Sequence, residues 1–144
     1  MSHKVFLDTN ILMDLLLQHP GYESSAKILQ AGEDGGISLY CSYLTMANLA
    51  FILRKSATPA VLVPSMMQIQ SLVTVLPMDS EQLLEAYNLS GRDFEDILQA
   101  VCAARGGCDV IITNNPKDYR IGTDKAKIKL PCVMTPAEFL DDQA

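Results

Sequence analysis

Tryptophan is absent from the chain and histidine nearly so, with two copies in 144 residues. The histidines, His3 and His19, form no zinc pattern with the four cysteines, Cys41, Cys102, Cys108 and Cys132, and no C-x-x-C pair exists. A structural zinc site and a dithiol redox motif are thereby excluded. Free, buried thiols in a reducing compartment are expected instead. No apolar run approaches the ~18 residues that span a bilayer, so no membrane partner is expected. Asp8 and Asp14 interrupt the first apolar run, and no small-residue cleavage site follows it. Met1 to Leu17 therefore does not read as a secretory signal, and a soluble protein is expected. Low-complexity segments and repeats are also missing. The length suits a single domain over residues 1–144 with a sizeable core. Basic residues are in the minority, 11 against 17 acidic, for a net charge of −6. Proteins that grip polyanions usually show the opposite balance, so long-range attraction to nucleic acid is not expected.

What is present begins with Lys4-Val-Phe-Leu-Asp-Thr-Asn-Ile-Leu-Met-Asp-Leu-Leu-Leu17. A short apolar run, Val5 to Leu7, stops at Asp8. Ile11, Leu12, Leu15 and Leu16 then recur at helical spacing, so the period changes at Thr9-Asn10. Asn10 is the expected N-cap, its side-chain oxygen accepting a free amide of the first turn. Asp8 is thus expected at the carboxyl end of a buried strand, where open α/β sheets bind ligands.

Further along, helices are expected over about Asn10–Gln18 and Tyr22–Ala31, then a strand over Ile37–Cys41. A third helix, from Ser42 or Tyr43 to Lys55, is almost wholly apolar and is expected to be largely buried, with Asn48 in its middle. Thr58-Pro59 opens a fourth helix to about Ser71 that should bend or restart at Pro64. Leu72–Leu76 reads as the third strand. The helix capped by Asp79 or Ser80 should turn Leu83, Leu84 and Tyr87 inward. In Arg92–Arg105, Phe94, Ile97, Leu98 and Val101 form an apolar stripe. Asp93 and Asp96 lie along its edge, followed by Ala100, Ala103 and Ala104. Small residues there let the helix approach a sheet closely and carry the acids inward. Asp93 also suits the N-cap. Asp109–Thr113 is strand four, 120–130 a basic loop, Cys132–Met134 strand five, and Thr135-Pro136 opens a last helical turn. Strands alternating with helices imply an α/β fold: a three-layer α/β/α sandwich around a mainly parallel sheet of four to five strands.

Asp8-Thr9-Asn10 and Thr113-Asn114-Asn115 both close strands. If those strands are neighbours, the acids converge at one sheet edge. Carboxylates in a cleft without a basic partner call for a hard cation, and magnesium typically takes one or two of them and keeps several waters. Five of the basic residues, Lys117, Arg120, Lys125, Lys127 and Lys129, crowd into thirteen positions after the fourth strand. That run either meets a phosphate backbone or is a solvated loop.

Val5-Phe-Leu-Asp-Thr-Asn-Ile-Leu12 resembles the opening motif of PIN-domain nucleases, in which the Asp supplies the first metal-binding carboxylate. Asp93-Phe-Glu-Asp96-Ile-Leu-Gln-Ala is similar to the family's third acidic motif, and Val110-Ile-Ile-Thr-Asn-Asn-Pro-Lys-Asp-Tyr119 to its fourth. Tyr43 to Lys55 resembles the helix of the second, and Val133 to Leu140 the closing strand and helix. The resemblance implies an endoribonuclease using Mg or Mn on Asp8 and Asp96, with Asp93 and Asp118 assisting. Thr9, Asn10, Asn48, Thr113 and Asn115 would be supporting residues. It further implies RNA as substrate, an antitoxin partner, homodimers and a cytoplasmic setting, in the manner of VapC-like toxins. Two departures stand out: Asn48 replaces the usual Glu of the second motif, and Asn115 the usual Asp of the fourth. A weak or inactive module that binds RNA or protein is the alternative they raise. A receiver-type phosphoacceptor domain would need its Asp at the end of the third strand, where Leu76-Pro77-Met78 stands.

Overall fold

The computed structural model describes residues 3–143; the expected domain limits, Met1 and Ala144, lie outside them. Strand β1 (His3–Leu7) occupies the middle of a five-stranded sheet, with β2 (Ile37–Ser42) and β3 (Thr74–Leu76) on one side and β4 (Val110–Ile112) and β5 (Cys132–Met134) on the other. Every pairing is parallel. Burial on both faces explains the near-continuous apolar character of β1 and β4. Val5 and Leu7 point to one face and Phe6 to the other, and all three are completely buried. Leu7 lies level with Ile112, so the two strands end side by side.

One face carries α1 (Thr9–Leu17), α2 (Tyr22–Glu33), α3 (Tyr43–Leu53), α4 (Pro59–Leu72) and α7 (Pro136–Gln143). Ile11, Ile28, Leu49, Ile69 and Phe139 join the strand side chains in one core there. The other face carries α6 (Phe94–Arg105), with α5 (Ser80–Ala86) packed on its outer side. Ala100 and Ala103 are buried against Phe6 and Ile111, so the alanine edge lets α6 lie close to the sheet, as its spacing predicts. Among the described residues, no helix is long and apolar enough to cross a membrane.

Several expectations need correction. The cap of α1 is Asp8, whose side chain accepts from the Thr9 amide, rather than Asn10. α3 is only half buried. Thr45, Leu49 and Leu53 face inward at four-residue spacing, whereas Tyr43 and Phe51 are 69% and 64% exposed. A helix crossing a sheet at its end buries one stripe whatever the chemistry of the opposite one. α4 runs through Pro64 as one helix; the carbonyl that Pro64 leaves unbonded belongs to exposed Ala60, where water can serve it. Leu72 ends α4 and lies outside β3. On α5 the inward set is Leu83, Ala86 and then Leu89, while Leu84 and Tyr87 face solvent, Tyr87 stacking on Phe94 at 5.7 Å. α7 is a full helix of eight residues. Three cysteines are buried and free, but Cys132, at the head of edge strand β5, is exposed.

The close approach of α6 makes a prediction. Ala103→Leu should overpack the interface with Phe6 and Ile111 and destabilise the chain by about 2 kcal/mol, whereas the same change at half-buried Ala104 should cost less than about 1 kcal/mol. Urea unfolding of both variants measures it; equal losses would mean that α6 is not held close through Ala103.

Candidate functional site

Asp8 leaves β1 where β4 also ends, and its backbone amide donates to the Ile112 carbonyl at 3.0 Å. Its side chain is 6% exposed. Oδ1 accepts the Thr9 amide at 2.8 Å, and Oδ2 accepts the Thr113 hydroxyl at 2.8 Å and the Asn10 Nδ2 at 3.2 Å. Asn10 also accepts the Asn114 amide through its Oδ1, and the Thr113 hydroxyl accepts the Asn115 amide, which ties the two strand ends together. Burial pushes the Asp8 carboxyl above its ordinary range, and the bonds from Thr113 and Thr9 offset part of that rise.

α6 brings the second acid. Asp93 caps the helix, its Oδ1 accepting the Glu95 amide at 2.9 Å. Asp96 follows one turn in. Its carboxyl is pushed up to about 7, first by burial, then by the charges of Asp8, Asp93, Asp118 and Glu95. The rotation of α6 is set by Gln99, which is fully buried. Its Oε1 accepts the Ser42 hydroxyl, and its Nε2 donates to Thr45 Oγ1 at 2.8 Å and to Thr9 Oγ1 at 3.4 Å. Thr9 and Thr45 bond each other at 2.9 Å. This buried network links the starts of α1 and α3 to α6 directly behind the acids.

The result is an open cleft of ≈ 340 Å³ lined by Asp8, Thr9, Asn10, Asp93, Asp96, Asn115 and Asp118, all of them named from the sequence. Thr113 lies behind it, bonded to Asp8. Asn48 reaches it only through Glu95, donating to that carboxylate at 2.7 Å. None of Lys117, Arg120, Lys125, Lys127 and Lys129 lines it. In the loop, Lys125, Lys127 and Lys129 alternate outward while Ala126, Ile128 and Leu130 pack inward. Lys125 sits by Tyr87 and Leu89, and Lys129 by Cys108 and Asp109, at the amino edge of the sheet. Those two lysines therefore do not flank the cleft.

Sequence reasoning missed several residues. Glu95 lines the cleft between the two named acids. Asp14 and His19 form its rim, paired at 2.9 Å, with Asn114 donating to the other Asp14 oxygen. His19 arrives there because Gln18 adopts a left-handed conformation, φ 50°, which folds the chain back on α1. Arg92 meets Asp118 at 3.4 Å, so the cleft does have a basic partner, contrary to expectation. Tyr119, in the 3-10 turn Pro116–Tyr119, is 6% exposed, and its hydroxyl reaches toward the Asp8 carboxylate without meeting strict hydrogen-bond geometry. A second cavity of ≈ 180 Å³ between α1, α2 and α4 is lined by leucines, Ile69, Val73, Ser65 and Gln68 and holds no titratable group.

Comparison with known proteins now bears on this geometry. The family model described as PIN domain matches residues 4–117. The chain belongs to the PIN-domain family. That family consists generally of nucleases. The fold is similar to the structure of VapBC2 from Rickettsia felis bound to a promoter DNA fragment, with TM-score 0.70 and 18% identity over 92% of this chain and 98% of that one. It is also similar to VapBC-1 from nontypeable Haemophilus influenzae, with TM-score 0.67 and 20% identity over 93% and 98%. DNA-bound VapBC from Salmonella typhimurium gives TM-score 0.66 and 16% identity over 93% and 98%. At these identities the likeness concerns the fold. A search of curated proteins finds no match.

Within this PIN domain the donor set is all oxygen: Asp8, Asp96 and the surrounding acids, with no thiol at hand. Among the described residues, no three His, Cys, Asp or Glu side chains stand in a ligating cluster. Asp8 and Asp96 are the two carboxylates that could share a hard cation, which would keep several of its waters. The raised carboxyl also makes a prediction. Asp96 ordinarily titrates at 3.8 and here at about 7, so between those values the folded chain keeps a proton that the unfolded chain loses. Stability contributed by that proton is present below about pH 4 and lost as pH rises through about 7. In chelator, Asp96→Asn should match wild type near pH 4 and melt ~3 °C higher at pH 8, ~1 kcal/mol after allowance for solvent screening of a half-buried group. Thermal melts across that range test it; a gap that does not widen with pH contradicts the charge crowding.

Proposed function

We propose that the chain is a metal-dependent endoribonuclease, the toxin of a toxin–antitoxin pair, with Mg or Mn held by Asp8 and Asp96. The observation that carries this reading is the desolvated Asp8 carboxylate sharing an acidic cleft with Asp96, whose proton is held up to about pH 7. Two carboxylates whose charge the protein itself resists are the donors a divalent cation relieves. When bound, such an ion would activate a water and neutralise charge on a phosphodiester.

The chain's own residues supply orientation. Thr113 and Asn10 hold Asp8 with one face toward the cleft, and Gln99 holds the helix that presents Asp96. Asp93 and Asp118 add negative potential at the rim, and Asn115 offers a neutral amide where an acid is usual. Lys117 and Arg120 lie two and five residues after Asn115, in and just past the 3-10 turn, and are the better placed of the basic residues to contact RNA phosphate. Exposed Phe51 and Ile52 on α3, and Val61, Val63 and Met67 on α4, support a protein partner, whether antitoxin or second copy. The setting is taken as cytoplasmic, since free buried thiols suit a reducing compartment.

A second reading, a binding module without activity, is favoured by one observation: Arg92 pairs with Asp118, so one of the helper acids is already engaged. Cleavage of a mixed RNA pool with Mn²⁺ against chelator separates the two. The nuclease reading expects Mn²⁺-dependent cleavage, and Asp8→Asn and Asp96→Asn each to slow it by at least about 100-fold. Retained RNA with no cleavage by the wild type would establish the binding module instead.

RNA contact has its own test. Lys117→Glu/Arg120→Glu should weaken binding of single-stranded RNA and flatten the salt slope by about one unit or more. Lys125→Glu/Lys129→Glu should change both less. Filter binding across salt concentrations measures this, and a larger effect from the second pair would move the RNA path away from the cleft.

A further inference from the structure

Glu95 takes no part in the mechanism above, yet its exposed side chain is held in the cleft by a residue of another helix. An exposed glutamate ordinarily samples many rotamers, and fixing it is entropically unfavourable. Here the Asn48 amide, reaching over from α3, donates to Oε1 at 2.7 Å. The bond spans 47 residues of sequence and joins helices on opposite faces of the sheet. Asn48 is the one strongly polar side chain between Leu44 and Leu53, apart from inward-facing Thr45. An amide, unlike a lysine, can hold a carboxylate without neutralising it. Oε1 is occupied in this way, and Oε2 has no protein partner among the hydrogen bonds of the described residues.

A separate observation points to something polar beside Asp8. The Tyr119 hydroxyl is buried beside Asp8 and reaches toward its carboxylate without satisfying strict hydrogen-bond geometry. Buried hydroxyls seldom stay unpaired, and a bound water is the ordinary partner of one beside carboxylates. With Asp8 and Asp96 as the two carboxylates on the cation, a third acid would act at one remove, through water.

We propose that Glu95, clamped by Asn48, is the third acid of the site and accepts a hydrogen bond from a water in the shell of the cation on Asp8 and Asp96. The inference rests on the cation reading above. It makes Glu95 and Asn48 a positioning pair in which the acid comes from α6 and the amide from α3. Exchanging the two, as Asn48→Glu/Glu95→Gln, keeps both the charge and the hydrogen bond.

Calorimetric titration with Mn²⁺ of the wild type and four variants tests this. Glu95→Gln should bind Mn²⁺ about tenfold more weakly. Asn48→Ala should lose about threefold, because the carboxylate remains but is no longer held. Asn48→Glu/Glu95→Gln should recover to within about twofold of wild type, and Asp8→Asn/Asp96→Asn should not bind. If Glu95→Gln binds as wild type does while the aspartate double variant fails to bind, Glu95 has no role and the cation reading stands. If Glu95→Gln is weakened while Asn48→Ala binds as the wild type does, Glu95 contributes charge alone and the clamp is refuted; a weakened Glu95→Gln that the exchange fails to rescue refutes the pairing of the two residues. If the wild type binds no Mn²⁺, or the aspartate double variant binds equally well, the cation site itself falls, and the role of Glu95 with it. Glu95 is exposed, so none of its variants opens a cavity.

Discussion

A carboxylate buried at the end of the central strand is the constraint on which the rest of the site depends. Left alone, Asp8 would be costly to bury. It is tolerated because the backbone of α1 and the hydroxyl of Thr113 supply donors to both of its oxygens. Those donors exist only if β1 and β4 are neighbours in register and α1 starts immediately after β1. Sheet order, helix start and site chemistry are therefore one condition seen from three sides. The donors offset part of the desolvation and leave the carboxyl raised, which stores a demand for positive charge at this spot.

The second acid reaches the same spot through packing. Alanines at 100 and 103 bring α6 down onto Phe6 and Ile111, and Gln99 stops it from turning. The Gln99 network has no exposed member among Ser42, Thr45 and Gln99, all of which are fully buried. A buried polar group that is fully satisfied specifies one arrangement, since any rotation of the helix would strand its amide. Asp96 is thus held against the other acids by a close-packed helix and a locked polar cluster, despite the burial and the repulsion that together raise it to about 7.

Much of this was legible along the chain. The change of period at Thr9, the alanine edge behind Asp93 and Asp96, and the polar ends of β1 and β4 are local patterns, and of the residues they nominated Asp8, Thr9, Asn10, Asp93, Asp96 and Asn115 line the cleft, with Thr113 behind it. Burial of helix faces was less legible. α3 is apolar all round, and composition cannot say which stripe of such a helix meets the sheet. Leu84 and Tyr87 were misjudged because α5 packs on α6 and not on the sheet, so its inward face is turned to Ala86 and Leu89. Asn10 was misjudged as a cap because the helix starts earlier, at Thr9, whose amide Asp8 accepts, and Asn10 already lies inside it.

The sequence by itself determined the α/β alternation, the family motifs and four of the acids that line the cleft, Asp8, Asp93, Asp96 and Asp118, because strand and helix periods and strand-end residues are written in local order. Only the tertiary structure decided which acids meet, which are held, and which basic residues stay away. Glu95 bonds to Asn48, Arg92 to Asp118, and His19 to Asp14 at the rim. Lys129 is carried to the opposite sheet edge by the same extended loop that buries Ile128. Such pairings join residues of different elements, and their distances depend on how helices are set against the sheet, which no local pattern encodes.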